Sequence, residues 1–382
     1  MNVRSAAATV GVIALIGFSL SACATSNDNA NGDGGDGATT KGVVALLLPE
    51  KNTARYEAAD RPFFEAKFKS VCPDVELLYS NAGNDVASQQ QQAEAALSKG
   101  ATVLVLGSVD SEAAGKIVTE AQGSGATVIS YDRLIKGESE PDYLVTFNNE
   151  YVGTLQAQSL MAEFDAQGVT DPRLIWINGS SKTAESAVFE KGAKDAISDT
   201  TTIVKLGEMP NWKPEEAQQL VEAQIASGGA DSFDGVLVAN DGGAGGVFAA
   251  LNAAGIDPQT KPTTGQDAEL AGVQRILAGQ QFMTVYKPLQ KLAEASAVLA
   301  CNIVKGEADA WPEGADPTTV DNGTGDIPAM LIPPLAVTID GKLEGTSSIA
   351  DSVVADLFYG PDTVAQICTP EFAAACTAAG IK

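Results

Sequence analysis

The chain has 382 residues, of which 24 are basic, 49 are acidic and none is histidine, so the formal net charge is −25. This length suits two domains of roughly 150 residues each, and a hydrophobic content of 45% supplies a core for both. The acidic excess argues against nucleic-acid binding, and the lack of histidine excludes Ser–His and Cys–His catalytic pairs and the usual zinc sites.

The first 22 residues have the composition of an export signal. Arg4 precedes an apolar run over residues 6–20, which is shorter than the roughly 20 residues that a membrane-spanning helix needs. The run ends in the motif LSAC, which resembles a bacterial lipobox. The resemblance implies cleavage before Cys23, a lipid on its sulfur, and an extracytoplasmic protein anchored to the cell membrane. The alternative is an ordinary signal peptide in which Cys23 occurs by chance.

Residues 23–42 predict a flexible tether. Between residues 24 and 41 no apolar side chain is larger than alanine, and Gly, Asn and Asp are frequent, so this segment cannot bury surface. Its acidic residues are superficially like a calcium loop. Counting from Asp28, however, the twelfth position is Thr39, where an EF-hand needs a bidentate Glu. The tether interpretation is therefore favoured.

From residue 43 onwards, short β-rich segments alternate with longer helical segments. In the first half, strands are predicted over 43–48, 75–80, 102–107, 126–132 and 143–148, with helices over 58–71, 86–99 and 111–124. In the second half, helices over 150–164, 184–197, 214–227, 243–254 and 269–278 alternate with strands over 173–179, 202–208, 235–240, 262–267 and 283–287. Apolar strands between amphipathic helices predict an α/β protein with two doubly wound parallel-sheet lobes. A cleft is expected where strand ends of the two lobes face one another.

Six short motifs occur in order at the ends of these predicted elements. They are YDR at 131–133, TFNNE at 146–150, NWKPE at 211–215, AND at 239–241, GQDA at 265–268 and MTVYKP at 283–288. Together they resemble the type I periplasmic sugar-binding proteins, most closely the xylose-binding branch, over about residues 43–340. The resemblance implies a monosaccharide held between two lobes and passed to an ABC transporter permease. It also implies a protein without catalysis or cofactor, which we expect to be a monomer.

The residues in and near these motifs have the chemistry that a sugar requires. Sugar hydroxyls both donate and accept hydrogen bonds, so carboxylates, amides and the forked donors of arginine suit them. Trp212 and Tyr56 are the expected apolar walls for the C–H face of the ring. The expected ligand-binding residues are Arg55, Tyr56, Asp132, Arg133, Asn148, Trp212, Asn240, Asp267 and Lys287.

Several of these residues have a structural alternative. Asp132 and Arg133 could form a surface ion pair, which contributes little to stability. Trp212 could pack in a core, although its Asn and Pro neighbours favour a loop. Asn240 and Asp241 could simply cap the helix predicted over 243–254. We expect Asp241 to be the cap and Asn240 to face the cleft.

The sequence departs from the xylose-binding branch after the first strand of the second lobe. There the branch has an acidic-amide-amide stretch that contacts ligand, whereas this chain has TAE at 183–185. Ser180, Lys182 and Thr183 are the candidate substitutes. Asn148 also stands where the branch usually has Asp. The motifs therefore leave the identity of the sugar open.

Four cysteines follow Cys23, and an even number in an exported protein predicts two disulfides with three possible pairings, or else free thiols. The family's topology implies a three-segment hinge near residues 148, 287 and 327–332. The first lobe then comprises 43–147 and 288–326, and the second lobe with its tail comprises 148–287 and 327–382. This topology implies the pairs Cys72–Cys301 and Cys368–Cys376, each within one lobe.

Two other classes of function compete with transport. A sensor that presents sugar to a membrane receptor kinase would have the same sequence features. A secreted glycosidase would need paired carboxylates, for which Asp132 and Asp267 are the candidates. A transcriptional repressor of similar fold is disfavoured by the export signal and the acidic charge.

Overall fold

The computed structural model describes residues 42–307, 310–354 and 363–381. The predicted export signal, Cys23 and the tether up to residue 41 lie outside the described residues. The strands are β1 (Val43–Leu48), β2 (Glu76–Asn81), β3 (Ala101–Leu106), β4 (Thr127–Tyr131), β5 (Tyr143–Phe147), β6 (Arg173–Asn178), β7 (Thr202–Glu208), β8 (Gly235–Val238), β9 (Met283–Tyr286), β10 (Thr318–Asp321), β11 (Asp326–Ile332), β12 (Leu335–Thr338) and β13 (Thr346–Ser348). The helices are α1 (Arg61–Val71), α2 (Val86–Ser98), α3 (Ala114–Gly123), α4 (Asn149–Gln167), α5 (Ala184–Lys194), α6 (Pro214–Gly228), α7 (Asp241–Ala253), α8 (Leu270–Leu277), α9 (Leu289–Val304), α10 (Ile349–Val354), α11 (Thr363–Ile367) and α12 (Ala373–Ala378). Among these helices none combines the length and hydrophobicity that crossing a bilayer requires.

The first lobe is built on a seven-stranded sheet with the order β10-β11-β5-β4-β3-β1-β2. Neighbouring strands are parallel except β10 and β11. Helices α1 and α9 pack on one face, and α2 and α3 pack on the other. Because both faces are covered, the central strands are continuous apolar runs, as the sequence predicted.

The second lobe contains two three-stranded sheets, β7-β6-β8 and β13-β12-β9. A single bridge between Val236 and Thr263 joins the segment after α7 to β8. The strand predicted over 262–267 is therefore reduced to this bridge. The chain turns out of the extended conformation at Asp267 and Ala268, whose φ angles are 89° and 51°.

The helix predicted over 58–71 is divided at its start. A π-helical turn, Tyr56–Asp60, precedes α1, and Pro62 lies in the first turn of α1. Proline has no N–H to donate, so the regular hydrogen-bond ladder does not run through this point. Such π turns are frequent at functional sites, and this one follows directly on Arg55.

The chain crosses between the lobes three times, and the third crossing lies later than predicted. Strand β11 pairs in parallel with β5, from Ala329 beside Leu144 to Ile332 beside Phe147. The prediction that residues from 327 onwards belong to the second lobe is therefore wrong for β11. This strand fills the edge of β5 that β4 leaves open, and the chain leaves the first lobe only at the prolines 333 and 334, which cannot donate to a sheet.

Both disulfides that the resemblance implied are present. Cys72, at the end of α1, is joined to Cys301 in α9 of the first lobe. Cys368 is joined to Cys376 within the tail, which packs on the second lobe through an apolar cluster that contains Ile367. Neither bridge connects the two lobes.

Candidate functional site

A cavity lies between the lobes, at the carboxyl ends of the strands. Eight of the nine expected binding residues line it, Asn148 being the exception. The lining residues are Thr53, Arg55, Tyr56, Asp132, Arg133, Thr183, Glu185, Phe189, Trp212, Asn240, Gln266, Asp267 and Lys287.

Arg55 organises the charged side of the cavity. Its Nε and Nη2 atoms donate to the two carboxylate oxygens of Asp60 at 2.9 and 2.7 Å. Its Nη1 donates to Asp132 Oδ1 of the first lobe at 3.1 Å and to Asp267 Oδ1 of the second lobe at 3.4 Å. Lys287, at the second crossing, lies 3.3 Å from Asp267 Oδ1 and 3.8 Å from Asp132 Oδ1. The two cations therefore hold carboxylates of both lobes together.

Asp132 is an ionised hydrogen-bond acceptor in this network. Burial by itself raises the pKa of this carboxyl, but the charges of Arg55 and Lys287 and the hydrogen bond from Tyr56 hold its pKa well below the ordinary value. The Tyr56 hydroxyl donates to Oδ2 at 2.7 Å. A carboxylate fixed in this way can accept from a ligand hydroxyl without reorganising.

Arg133 lies between two aromatic rings of the cavity wall. Its guanidinium carbon is 5.4 Å from the centre of the Tyr56 ring and 5.9 Å from that of Trp212. Its Nη1 donates to the Ser108 carbonyl at 3.0 Å, and its Nη2 lies 3.3 Å from Glu50 Oε1. These two contacts tie the Arg133 side chain to the first lobe.

Three of the cavity residues have left-handed backbone conformations. The φ angles of Asp132, Trp212 and Asp267 are 63°, 56° and 89°. Such conformations cost about 1–3 kcal/mol each in residues other than glycine, and they concentrate at binding sites. Trp212 fits here because Gly179 has no side chain: a Cβ at that position would lie 2.1 Å from Cη2 of the indole.

Unpartnered buried polar atoms concentrate in the cavity. In the described residues eight buried side-chain nitrogen or oxygen atoms have no hydrogen-bond partner, and five of them belong to cavity residues. A buried polar group without a partner costs about 1–3 kcal/mol, so we expect a polar ligand or water to be the partner of these atoms. The five are Thr53 Oγ1, Glu185 Oε2, Trp212 Nε1, Asn240 Nδ2 and Gln266 Oε1.

Asn240, and not Asp241, caps α7, and Asn240 also lines the cavity. Asn240 Oδ1 caps α7 by accepting from the N–H of Gly243 at 2.9 Å, while its Nδ2 is the unpartnered atom in the cavity. The expectation that Asp241 is the cap is wrong, because Asp241 is already the first residue of the helix. Its carboxylate is buried and accepts from Glu269 N at 2.9 Å and Gln281 Nε2 at 2.7 Å.

The expectation that Asn148 faces the cleft is also wrong. Asn148 is exposed, and its Oδ1 accepts from the N–H of Tyr151 at 3.1 Å as the cap of α4. Strand β5 ends at Phe147, and the capping geometry turns the amide of Asn148 back towards its own helix. Phe147 supports the site instead, since the Lys287 Nζ lies 4.6 Å from its ring centre.

Of the three candidate substitutes in the loop after β6, only one lines the cavity. Thr183 lines the cavity, but Lys182 is exposed and Ser180 Oγ donates to the Pro210 carbonyl at 2.9 Å. Glu185, in the first turn of α5, supplies a carboxylate that lines the cavity, and it belongs to the TAE stretch at 183–185 in which the sequence departs from the xylose-binding branch.

The sequence analysis missed further lining residues, namely Thr53, Phe189 and Gln266. No cluster of acidic or cysteine side chains suited to a metal ion occurs within residues 42–307, 310–354 and 363–381.

The fold and the site define a two-lobed binding protein of the α/β class. Residues 44–308 match the periplasmic binding protein domain, and the chain belongs to this family. It is 31% identical to the D-xylose-binding periplasmic protein of Escherichia coli (strain K12), over 83% of this chain and 90% of that protein. It is 30% identical to a multiple sugar-binding periplasmic receptor of Rhizobium radiobacter, over 78% of this chain and 88% of that protein.

Solved structures agree with this assignment. An ABC transporter solute-binding protein from Clostridium phytofermentans with bound β-D-glucose superposes with a TM-score of 0.74 at 28% identity, covering 85% of this chain and 99% of that one. A carbohydrate transporter solute-binding protein from Chloroflexus aurantiacus in complex with D-glucose superposes with a TM-score of 0.71 at 26% identity, covering 84% of this chain and 97% of that one. The family and the fold class that the sequence motifs implied are thereby confirmed.

Proposed function

We propose that this protein captures a monosaccharide, a xylose-like pentose or a glucose-like aldose, between its lobes and delivers it to an ABC importer. The observation that carries the proposal is the set of five unpartnered polar atoms in the cavity. The set contains donors on Trp212 and Asn240, an acceptor on Gln266 and a carboxyl oxygen of Glu185, and a polyhydroxylated ring can satisfy all of them.

The walls of the cavity support the same ligand class. Tyr56, Phe189 and Trp212 give it apolar surface, while Asp132 and Arg55 give it charge. A sugar ring has C–H faces and a rim of hydroxyls, so this combination matches it. The sugar-binding names of the relatives agree with the proposal.

Binding without turnover is part of the proposal. A glycosidase needs one carboxylic acid that donates a proton and a second carboxylate. Asp132 has a lowered pKa and shares the Nη1 of Arg55 with Asp267, so this pair is suited to accepting hydrogen bonds and not to proton transfer.

A thermal-shift screen of the purified protein tests the ligand class. The panel contains D-xylose, D-glucose, L-arabinose and myo-inositol, with an amino acid mixture as the control. A sugar that binds only the folded state raises the melting temperature with its concentration. A shift with amino acids and none with sugars would reject the proposal.

We further propose that a lipid on Cys23 anchors the protein to the outer face of the cell membrane. Two observations support this: the LSAC motif ends an apolar leader, and a Gly- and Asp-rich segment follows it. In cells that carry Cys23→Ser, we expect secreted protein or uncleaved precursor in place of the membrane-bound form. Unchanged membrane retention with normal cleavage would reject the anchor.

A further inference from the structure

Glu185 holds the two lobes together at one oxygen and faces the cavity with the other. It lies in the first turn of α5 in the second lobe and is buried. Its Oε1 accepts from the backbone N–H of Leu134, which belongs to the first lobe. Its Oε2 is buried and unpartnered, and the residue lines the cavity. Closure of the lobes and contact with a ligand therefore meet at one carboxyl group.

Within the part of the chain that the structure describes, no ion pair includes Glu185. Burial raises the pKa of Glu185 to about 7, and Asp132 adds to the rise. The hydrogen bonds from the backbone of Leu134 and of Glu185 itself, together with the charge of Arg133, act in the opposite direction. Arg133 is already committed to Glu50 and the Ser108 carbonyl. The titratable or charged groups that line the cavity with Glu185 are Arg55, Tyr56, Asp132, Arg133, Asp267 and Lys287.

We propose that Glu185 contacts the sugar as a neutral carboxylic acid, so that sugar capture takes up a proton from solvent. The carbonyl oxygen accepts from Leu134 N–H across the cleft, and the O–H on Oε2 donates to a hydroxyl or ring oxygen of the ligand. The inference rests on the proposed function, because the ligand must be one that accepts such a hydrogen bond. It assigns a role to a residue of the TAE stretch at 183–185, in which the sequence departs from the family pattern.

The direction of the pH dependence follows from the change in pKa on closure. We expect opening of the cleft to break the contact with Leu134 and to expose Glu185, which would return its pKa towards the ordinary value of 4.5. In the closed form the pKa is about 7. The closed form therefore holds a proton that the open form lacks between these values. Protonation of Glu185 therefore favours the closed form fully below about pH 4.5, and this contribution is lost as the pH rises through 7.

Glu269 provides a matched control for this experiment. It is also buried, comes from the second lobe, and accepts at Oε1 from a first-lobe backbone N–H, that of Ala54, at 3.1 Å. Burial and the neighbouring carboxylates Asp241 and Asp267 raise its pKa to about 8 against the opposing effect of Arg275. It does not line the cavity, so any proton that it takes up reflects closure of the lobes and not contact with the ligand.

The test is isothermal titration of the purified protein with D-glucose and D-xylose at pH 5.5, 6 and 8. At pH 6, two buffers of different ionisation enthalpy give the number of protons taken up. The effect of Glu185→Gln is measured twice, once in the wild type and once in a protein that already carries Glu269→Gln. Glutamine has the acceptor and the donor of the neutral acid, so both comparisons should show about one proton fewer taken up at pH 6.

Affinity gives a second readout. The sugar affinity of the wild type should be lower at pH 8 than at pH 5.5 by a factor of about ten or more. The affinity of Glu185→Gln should fall by a smaller factor, and at pH 8 it should equal or exceed that of the wild type. A Glu185→Gln variant that is weaker by the same factor at every pH would show that the carboxylate form binds, and would overturn the inference. Equal proton uptake in the wild type and the variant would overturn it also.

Two further outcomes separate failures of different kinds. The proton count of the wild type needs no variant, so uptake of no proton at pH 6 contradicts the inference even if Glu185→Gln does not fold. Absence of sugar binding by the wild type at every pH contradicts the proposed function itself, and the inference with it.

Discussion

At the scale of single residues, two asparagines of this chain have the same structural role and differ in whether they reach the cavity. Asn148 caps α4 and Asn240 caps α7, each through its side-chain oxygen. The amide nitrogen of Asn240 lies in the cavity without a partner, whereas Asn148 is exposed. Capping and ligand contact can therefore be separated by experiment.

We predict that Asn240→Ala and Asn148→Ala each lower the free energy of unfolding by about 1 kcal/mol, because each removes a helix cap. Only Asn240→Ala should also weaken sugar binding, by roughly 2 kcal/mol, because ligand groups lose a buried partner. Calorimetric titration and chemical denaturation of both variants measure the two quantities. Equal sugar affinity in the two variants would contradict the cavity assignment.

A second residue-scale prediction concerns the glycine behind Trp212. In Gly179→Ala the new Cβ would overlap the indole, which lies only 2.1 Å from the ideal Cβ position. The ring must move, and we expect sugar affinity to fall by about tenfold or more, since closely packed sites do not absorb such overlap. Gly123→Ala is the control, because nothing lies within 4 Å of that Cβ position. Unchanged affinity in Gly179→Ala would show that Trp212 does not contact the sugar.

Residues at strand ends were predictable, and residues on helices were not. Asp132, Arg133 and Lys287 follow apolar strands, and the carboxyl ends of such strands are where α/β proteins bind ligands. The same rule misplaced Asn148, because capping of α4 competes for its side chain. Phe189 lies on α5, where an apolar side chain predicts core packing equally well, so no sequence signal distinguished it.

At the scale of secondary-structure elements, α4 connects two chain segments that carry cavity-lining residues. Gln156 on this helix is buried, and its Nε2 donates to the carbonyl of Gly265 at 3.0 Å and to those of Val238 and Ala239 at 3.2 Å. The segments that bear Asn240 and Asp267 are thereby joined. A glutamine in a helical pattern predicts a solvated face, so this contact could not be predicted from sequence.

The two disulfides give a prediction at the same scale. Cys72 and Cys301 are 229 residues apart in sequence, whereas Cys368 and Cys376 are eight apart. In the chain-entropy account, closing the longer loop stabilises the fold by about 3 kcal/mol more. Replacing both cysteines of each pair by serine and measuring denaturant unfolding tests this ranking. A larger loss of stability for the Cys368–Cys376 pair would contradict it.

The topology of the first lobe was predictable up to β5, because its strands are apolar and lie in sequence between helices. Strand β11 was placed in the wrong lobe for a physical reason. Its residues alternate between buried and exposed, as in a strand with one solvated face, and this pattern does not reveal which open sheet edge it fills. Only the pairing with β5 decides this.

At the scale of the whole molecule, the lobes touch on more than one side of the cavity. On one side the Arg55 Nη1 lies 3.4 Å from Asp267 Oδ1. On another, the Ser111 N–H donates to the Lys182 carbonyl at 2.8 Å. The side-chain amide of Asn52 donates to the Asn211 carbonyl at 2.9 Å. These contacts join the two lobes on several sides of the cavity.

Closure about the three crossings predicts a change of shape on binding. Without ligand the unpartnered polar atoms favour an open, hydrated cleft, and a sugar that satisfies them shifts the population to the closed form. We expect small-angle scattering to show a smaller radius of gyration with D-xylose or D-glucose than without sugar. Asn240→Ala is the control and should show a weaker change at the same sugar concentration. An identical profile with saturating sugar would contradict hinge closure.

The most direct test of the sugar-capture account is a calorimetric titration of the purified protein with D-xylose and with D-glucose. The account predicts saturable binding of one sugar per chain for at least one of the two, with the affinity reduced in Asn240→Ala and retained in Asn148→Ala. No binding of either sugar, or equal binding by both variants, would contradict it.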